Sequence, residues 1–297
     1  GDVVQALPVA RLLRRAHPKA EIHWWLNREL TPLLDGDPDI ARVIPFDRKR
    51  LGRLSGLPRL ATHLQSIRAE RYDLVVDLQA LARSAFVSWY AAGGFTIGLE
   101  DRREGAPAFY DQAVPRAGYA THAVDWYLDV LRALGIPVDM DFEWLPARPE
   151  VFRLLRCRIP TLEPDCIAVQ PGARWDTKRW PIDHFRQLIA QLRIRLPRTQ
   201  IVVLGGGDDR AFGAALSADG TEGVLDLTGQ LDLQELVEVM RRVRVLVTND
   251  TGPMHIAAAL RRPVVGLFGP TEPRRTGPYG PNHRILRHEL PCSPCLK

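Results

Sequence analysis

Short apolar runs rich in β-branched residues alternate along this chain with longer stretches in which apolar residues return every third or fourth position. The runs predict strands at Glu21–Leu26, Arg42–Phe46, Tyr72–Leu78 and Thr96–Leu99, then at Cys166–Gln170, Thr199–Leu204, Leu225–Leu227, Val243–Val247 and Val264–Phe268. The stretches between them predict helices over Val9–Ala16, Glu29–Leu34, Leu57–Ala69, Ala80–Ala92, Thr121–Leu134, Pro181–Leu196, Leu233–Arg242 and Met254–Leu260. Such alternation argues for an α/β protein with parallel sheets covered by helices on both faces. The proline-rich and acidic segment Gly135–Pro164 reads as the boundary between two domains, 1–150 and 151–297.

The richest chemistry follows the predicted strand Val243–Val247, which stops at the polar triplet Thr248-Asn249-Asp250. Thr251-Gly252 makes a turn, Pro253 suits a first helical position, and three alanines let the helix sit close to the sheet. The next strand ends in Gly269-Pro270-Thr271-Glu272-Pro273, so two strand ends and one helix N-terminus face a common crevice. Free N–H groups and the positive end of the helix dipole make a phosphate the expected guest. Residue preference alone also allows Asp250 to be a helix cap and His255 a packed side chain. Lys178 and Arg179 lie beyond another strand end, where a cation can reach the same crevice or point into water. Gly205-Gly206-Gly207 permits close backbone approach to a ligand or simply a turn, and Asp208 and Asp209 follow it.

With 297 residues, 45% of them apolar, the chain can supply two cores. No stretch approaches the ~18 to 20 uninterrupted apolar residues of a membrane span, and no signal peptide is recognisable, so the cytoplasm is the expected compartment. Four cysteines are too scattered for a disulfide framework, and Cys292-Ser293-Pro294-Cys295 supplies only half of a structural zinc site. A formal charge of +5 and a pI near 9.2 suit an acidic partner. The bases are scattered and form no recognised nucleic-acid module, so nucleic acid is not the expected one. No paired Asp-x-Asp or histidine cluster implies a bound metal.

The run Thr248-Asn249-Asp250-Thr251-Gly252-Pro253-Met254-His255, with Phe268-Gly269-Pro270-Thr271 and Thr276-Gly277-Pro278-Tyr279-Gly280, resembles the bacterial ADP-heptose glycosyltransferases of the lipopolysaccharide inner core. The resemblance spans almost the whole chain. It implies a GT-B fold of two Rossmann-like domains and inverting heptose transfer from ADP-heptose to a lipid A-Kdo or heptosylated core acceptor, with no cofactor. It also implies that a strand precedes Gly1. By the same resemblance Asp2, in a Gly-Asp motif, is the catalytic base. Lys178, in a Lys-Arg-Trp-Pro context, meets the donor phosphates. Thr251, Gly252 and His255 hold the diphosphate or the sugar, Asp250 positions sugar hydroxyls, and Asp208 or Asp209 lies near the ribose.

The amino-terminal half is then the acceptor domain. Its basic residues Arg48, Lys49, Arg50 and Arg53, with Arg59, Arg83, Arg102 and Arg103, suit a phosphorylated acceptor at the anionic cytoplasmic face of the inner membrane. As a plain charge run they read as a solvated face. The alternatives are a GT-B transferase or epimerase for another nucleotide sugar, or a binding protein that keeps the cleft without turnover.

Overall fold

The computed structural model describes residues 1–47, 57–218, 223–288 and 290–295. Its contacts divide the chain into two compact units, one of Asp2 and Ala6–Phe142, the other of Glu143–Lys297 with Gly1 and Val3–Gln5.

Helix α1 (Asp2–Ala16), which belongs to the first unit from Ala6 onward, buries Leu7, Val9, Ala10 and Leu12. The apolar pattern put its start at Val9, yet Pro8 lies inside the helix. Burial of Leu7, Val9 and Leu12, at roughly 1.5–3 kcal/mol each, outweighs a proline cost of about 3 kcal/mol. Arg11 reaches Asp37 at 2.5 Å and Asp39 at 2.7 Å, which ties α1 to the loop before the second strand. Strands β1 (His23–Asn27) and β2 (Arg42–Phe46) pair in parallel. Strands β3 (Tyr72–Asp77), β4 (Ala92–Leu99) and β5 (Gln112–Val114) form a separate parallel sheet. Helices α2 (Leu57–Ala69) and α3 (Ala82–Ala91) pack on each other, α3 also lies on β3 and β4, and α4 (Ala123–Ala133) covers β4 and β5.

In the second unit one all-parallel sheet has the order β11-β10-β9-β6-β7-β8, built from β6 (Ile167–Gln170), β7 (Ile201–Val203), β8 (Val224–Asp226), β9 (Val245–Asn249), β10 (Val264–Phe268) and β11 (His283–Arg287). Its core gathers Val169, Phe185, Ile189, Ile201, Val203, Leu216 and Val247. The helices are α5 (Pro149–Arg158), α6 (Ile182–Arg195), α7 (Arg210–Ser217), α8 (Leu233–Met240), α9 (Gly252–Ala259) and the single turn α10 (Pro273–Thr276). The order reverses at β6, which has β7 on one side and β9 on the other. In such a sheet the crevice for a ligand opens beyond the carboxyl ends of those strands.

The contacts divide the chain between Phe142 and Glu143, inside the segment Gly135–Pro164, and α5 forms within the same segment and packs on α8. Pro149 opens α5 at a position where its missing N–H costs nothing. Glu238 of α8 anchors the junction, accepting the Arg148 N–H at 2.8 Å and pairing with Arg242 at 2.7 Å. Burial opposes its ionisation, but the Arg242 hydrogen bond, the Arg148 N–H and the charges of Arg241 and Arg242 prevail and hold the carboxyl below its ordinary value. The structure corrects the expected end of β9, which does not stop at Val247. Thr248 and Asn249 stay in the ladder between Gln170 and the Gly266–Leu267 pair, because their polar groups find partners inside the protein.

Candidate active site

Beyond β9 the chain passes through Asp250 and an extended Thr251 (φ −152°, ψ 170°) into α9. The Thr251 side chain does not cap the helix, whose first backbone N–H groups are of the kind that bind anions. His255, on the first turn, is buried.

The Asp250 carboxylate is the meeting point of three loops. Its Oδ2 accepts Lys178 Nζ at 2.6 Å, from the loop after β6, and the Thr271 hydroxyl at 2.7 Å, from the loop after β10. Asp250 has 7% of its side chain exposed and Lys178 22%, so the lysine is the more accessible member of the pair. Gly269 lets the loops meet: a Cβ there would lie 3.3 Å from the Thr177 carbonyl oxygen. Asn249, fully buried, grips both ends of the Lys178 loop. Its amide nitrogen donates to the Pro171 carbonyl at 2.7 Å, and its amide oxygen accepts the Trp180 N–H at 3.0 Å. Trp180 then packs edge-on against Phe185 in the core, at 4.9 Å between centroids.

The glycine-rich turn after β7 separates two aspartates that spacing could not. Asp209 folds back, accepting the Gly206 N–H at 2.9 Å, and a Cβ at Gly172 would come within 2.0 Å of its Oδ1. Asp208 is exposed and has no hydrogen bond or ion pair among the described residues. Gln170 at the end of β6, 4% exposed, points its amide nitrogen toward Asp209 at 3.4 Å and leaves its buried Oε1 without a partner. Sequence reasoning missed Gln170, since a glutamine closing an apolar strand carries no signal of its own. It also missed Glu272, which the hydrogen bond from Arg274, its backbone N–H and the charges of Arg274 and Arg287 hold down at about 2 despite burial. Glu272 caps α10 and so fixes the loop that delivers Thr271.

In the first unit Asp2 is exposed in the first turn of α1, where its charge complements the helix dipole. Burial first, and then the Asp2 carboxylate, push the Tyr127 hydroxyl up. The buried Asp77 at the end of β3 accepts the Gln79 and Ala80 N–H groups and the Tyr110 hydroxyl at 2.8 Å. Gly98 is obligatory beside it, because a Cβ would lie 2.4 Å from the Tyr110 ring. Arg83 is exposed at the start of α3, and Arg102, also exposed, pairs with Glu100 through Nε at 2.7 Å. Arg48, Lys49, Arg50 and Arg53 lie outside the described residues.

A cation and a helix N-terminus at the switch point of a parallel sheet define an α/β protein suited to a phosphorylated ligand. The chain belongs to glycosyltransferase family 9 (heptosyltransferase), whose pattern it matches over residues 60–297. It is 31% identical to lipopolysaccharide heptosyltransferase 1 of Pseudomonas aeruginosa, over 100% of this chain and 83% of that protein. The family 9 glycosyl transferase of Veillonella parvula aligns with a TM-score of 0.83 at 26% identity, covering 97% of this chain and 83% of that one. The E. coli heptosyltransferase WaaC with ADP aligns at 0.80 and 25% identity, covering 97% and 90%. The protein is therefore a glycosyltransferase of GT-B class.

Proposed function

We propose that the protein transfers a heptose from ADP-heptose to a lipopolysaccharide inner-core acceptor, with inversion, in contact with the anionic cytoplasmic face of the inner membrane. The observation that supports this most is the Lys178–Asp250–Thr271 cluster beside the N-terminus of α9. It occurs in a family whose member WaaC has been solved with ADP and with ADP-2-deoxy-2-fluoro heptose.

In this reading Asp250 holds Lys178 ready, and the diphosphate takes up the ammonium's remaining donors together with the backbone at Thr251, Gly252 and His255. Asp250 also orients sugar hydroxyls. Asp208, the unengaged aspartate, meets the ribose, while Asp209 shapes the turn. Arg48, Lys49, Arg50, Arg53, Arg83 and Arg102 face the phosphorylated acceptor. Asp2 takes the proton of the acceptor hydroxyl as its oxygen attacks the anomeric carbon. The bond from that carbon to the β-phosphate oxygen breaks, and ADP leaves with the electron pair, its growing charge met by Lys178 and the helix end.

The test offers ADP-heptose and a panel of other nucleotide sugars to the purified protein, with and without lipid A-Kdo acceptor, and measures diphosphate release. Acceptor-dependent release from ADP-heptose alone is expected. Binding without release would leave a nucleotide-sugar-binding protein, and release from another donor would overturn the sugar assignment. Asp2→Asn should lower kcat by about 10²- to 10⁴-fold with donor affinity unchanged, which is the worth of a general base.

A further inference from the structure

Helix α3 is inverted relative to a soluble surface helix. Its buried positions are Ser84, Ala85, Ser88 and Ala91, while Phe86 and Trp89 stand 41% and 55% exposed. Arg83, Phe86 and Trp89 follow at intervals of three and so share one face. Phe86 stacks on Tyr90 with centroids 6.2 Å apart, and Phe86 and Trp89 each meet the Phe109 ring at 6.3 Å. The rings therefore form one aromatic surface running from α3 onto the turn Ala106–Phe109. Pro107 and Ala108 of that turn line an open depression of about 400 Å³.

Two arginines border these rings. Arg68 of α2 lies over the Tyr90 ring at 4.8 Å, and neither Arg68 nor Arg83 has a carboxylate partner among the described residues. Of the acids that follow β4, Glu100 pairs with Arg102 and Asp101 with Arg103, while Glu104 accepts the Ala82 N–H at 2.9 Å. Aromatic rings beside unpaired arginines match the boundary between headgroups and acyl chains, where amphipathic rings settle and cations meet lipid phosphates. A second copy of the chain fits poorly. The exposed parts of Phe86 and Trp89 amount to on the order of 200 Å², well short of the ~800 Å² per partner that a stable protein interface buries. A bilayer needs no such complementary area.

We propose that the aromatic face of α3, flanked by Arg68 and Arg83, docks this protein on an anionic bilayer. The proposal rests on the function above and deepens it, naming the surface that makes the membrane contact and brings the enzyme to a lipid-borne acceptor. The full-length protein is floated with vesicles of phosphatidylcholine alone and of phosphatidylcholine mixed with phosphatidylglycerol. Retention on the anionic vesicles is expected. Phe86→Ser combined with Trp89→Ser should lower that partition by roughly tenfold or more, the least that burial of one such ring is worth. Arg68→Glu tests the charge without touching the rings, and should lower it by about fivefold or more at low salt. Affinity for ADP and turnover of a deacylated, water-soluble acceptor should stay unchanged in the ring variant, which also reports that it is folded. Unaltered flotation of both variants overturns the docking face. So does a wild type that self-associates in sedimentation velocity through these rings while the ring variant is monomeric and still floats. If vesicle binding is lost in the variants but no heptose transfer is found in the wild type, the proposed function fails and the docking face stands.

Discussion

At the scale of single residues, Lys178 shows how far type and context carry. Lysine in a loop beyond a strand end reads as either solvated or phosphate-facing, and only the 2.6 Å contact to Asp250 shows that its ammonium is held at the mouth of α9. Asp208 and Asp209 were indistinguishable in sequence, because what separates them is the glycine pocket of Gly172 and Gly205 that admits one carboxylate. Lys178→Ala should weaken ADP binding and turnover together, by roughly 1.5 to 3 kcal/mol for a lost charge-assisted bond. Calorimetry that finds ADP affinity unchanged would return Lys178 to a purely structural role. Glu272 offers a pH test. Its folded pKa of about 2 lies below the ordinary 4.5, so its contribution to stability is complete above that ordinary value and is lost as pH falls from about 4.5 toward about 2. The thermal midpoint of Glu272→Gln should therefore fall below wild type at neutral pH and meet it near pH 2. Arg274 is 68% exposed and its pairing is screened, so the gap at neutrality should be about 1 kcal/mol. A gap that persists at pH 2 would assign the loss to packing instead.

At the scale of elements, strands and helices with strong periodicity were legible to within a few residues, except the start of α1, which lies at Asp2 and not at Val9. Arg42–Phe46 and Val264–Phe268 match their predicted bounds because both are short apolar runs closed by turn residues. What escaped was short or masked by polar composition: β5 and β11, the helix α7 directly after the glycine turn, and α5 within the proline-rich segment. These hold through tertiary contacts such as Glu238 on Arg148, which no local window contains. The polar end of β9 escaped for the same reason, since Asn249 is satisfied by Pro171 and Trp180 some seventy residues away. Asn249→Ala removes both grips on the Lys178 loop and takes their partner from the buried Pro171 carbonyl and the partly buried Trp180 N–H. It should cost about 2 to 4 kcal/mol of stability, at roughly 1–2 for each group. It should also raise the donor KM, because Lys178 loses its fixed approach to Asp250. Denaturant unfolding together with donor titration checks both, and a destabilised variant with wild-type donor KM would show that the loop holds its shape without Asn249.

At the scale of the whole molecule, the groups proposed for the donor, Lys178, Asp208, Asp250 and Thr271, all belong to the second unit, whereas the basic run Arg48-Lys49-Arg50 belongs to the sequence of the first. If the units divide the work, reversing Arg48, Lys49 and Arg50 to Glu should raise the acceptor KM, most at low salt, and leave donor affinity nearly alone. The reversal also moves the formal net charge from +5 to −1, which by itself weakens attraction to any anionic partner. A charge-matched control removes that ambiguity: reversing the exposed Arg156, Arg195 and Arg198 of the second unit changes the net charge equally. A local acceptor site predicts a large KM rise in the first variant and a small, salt-screened one in the control. Equal rises in the two variants would mean that the molecule's overall charge, and not the basic run, steers the acceptor. A parallel loss of donor affinity in the first variant would contradict the division of labour between the units.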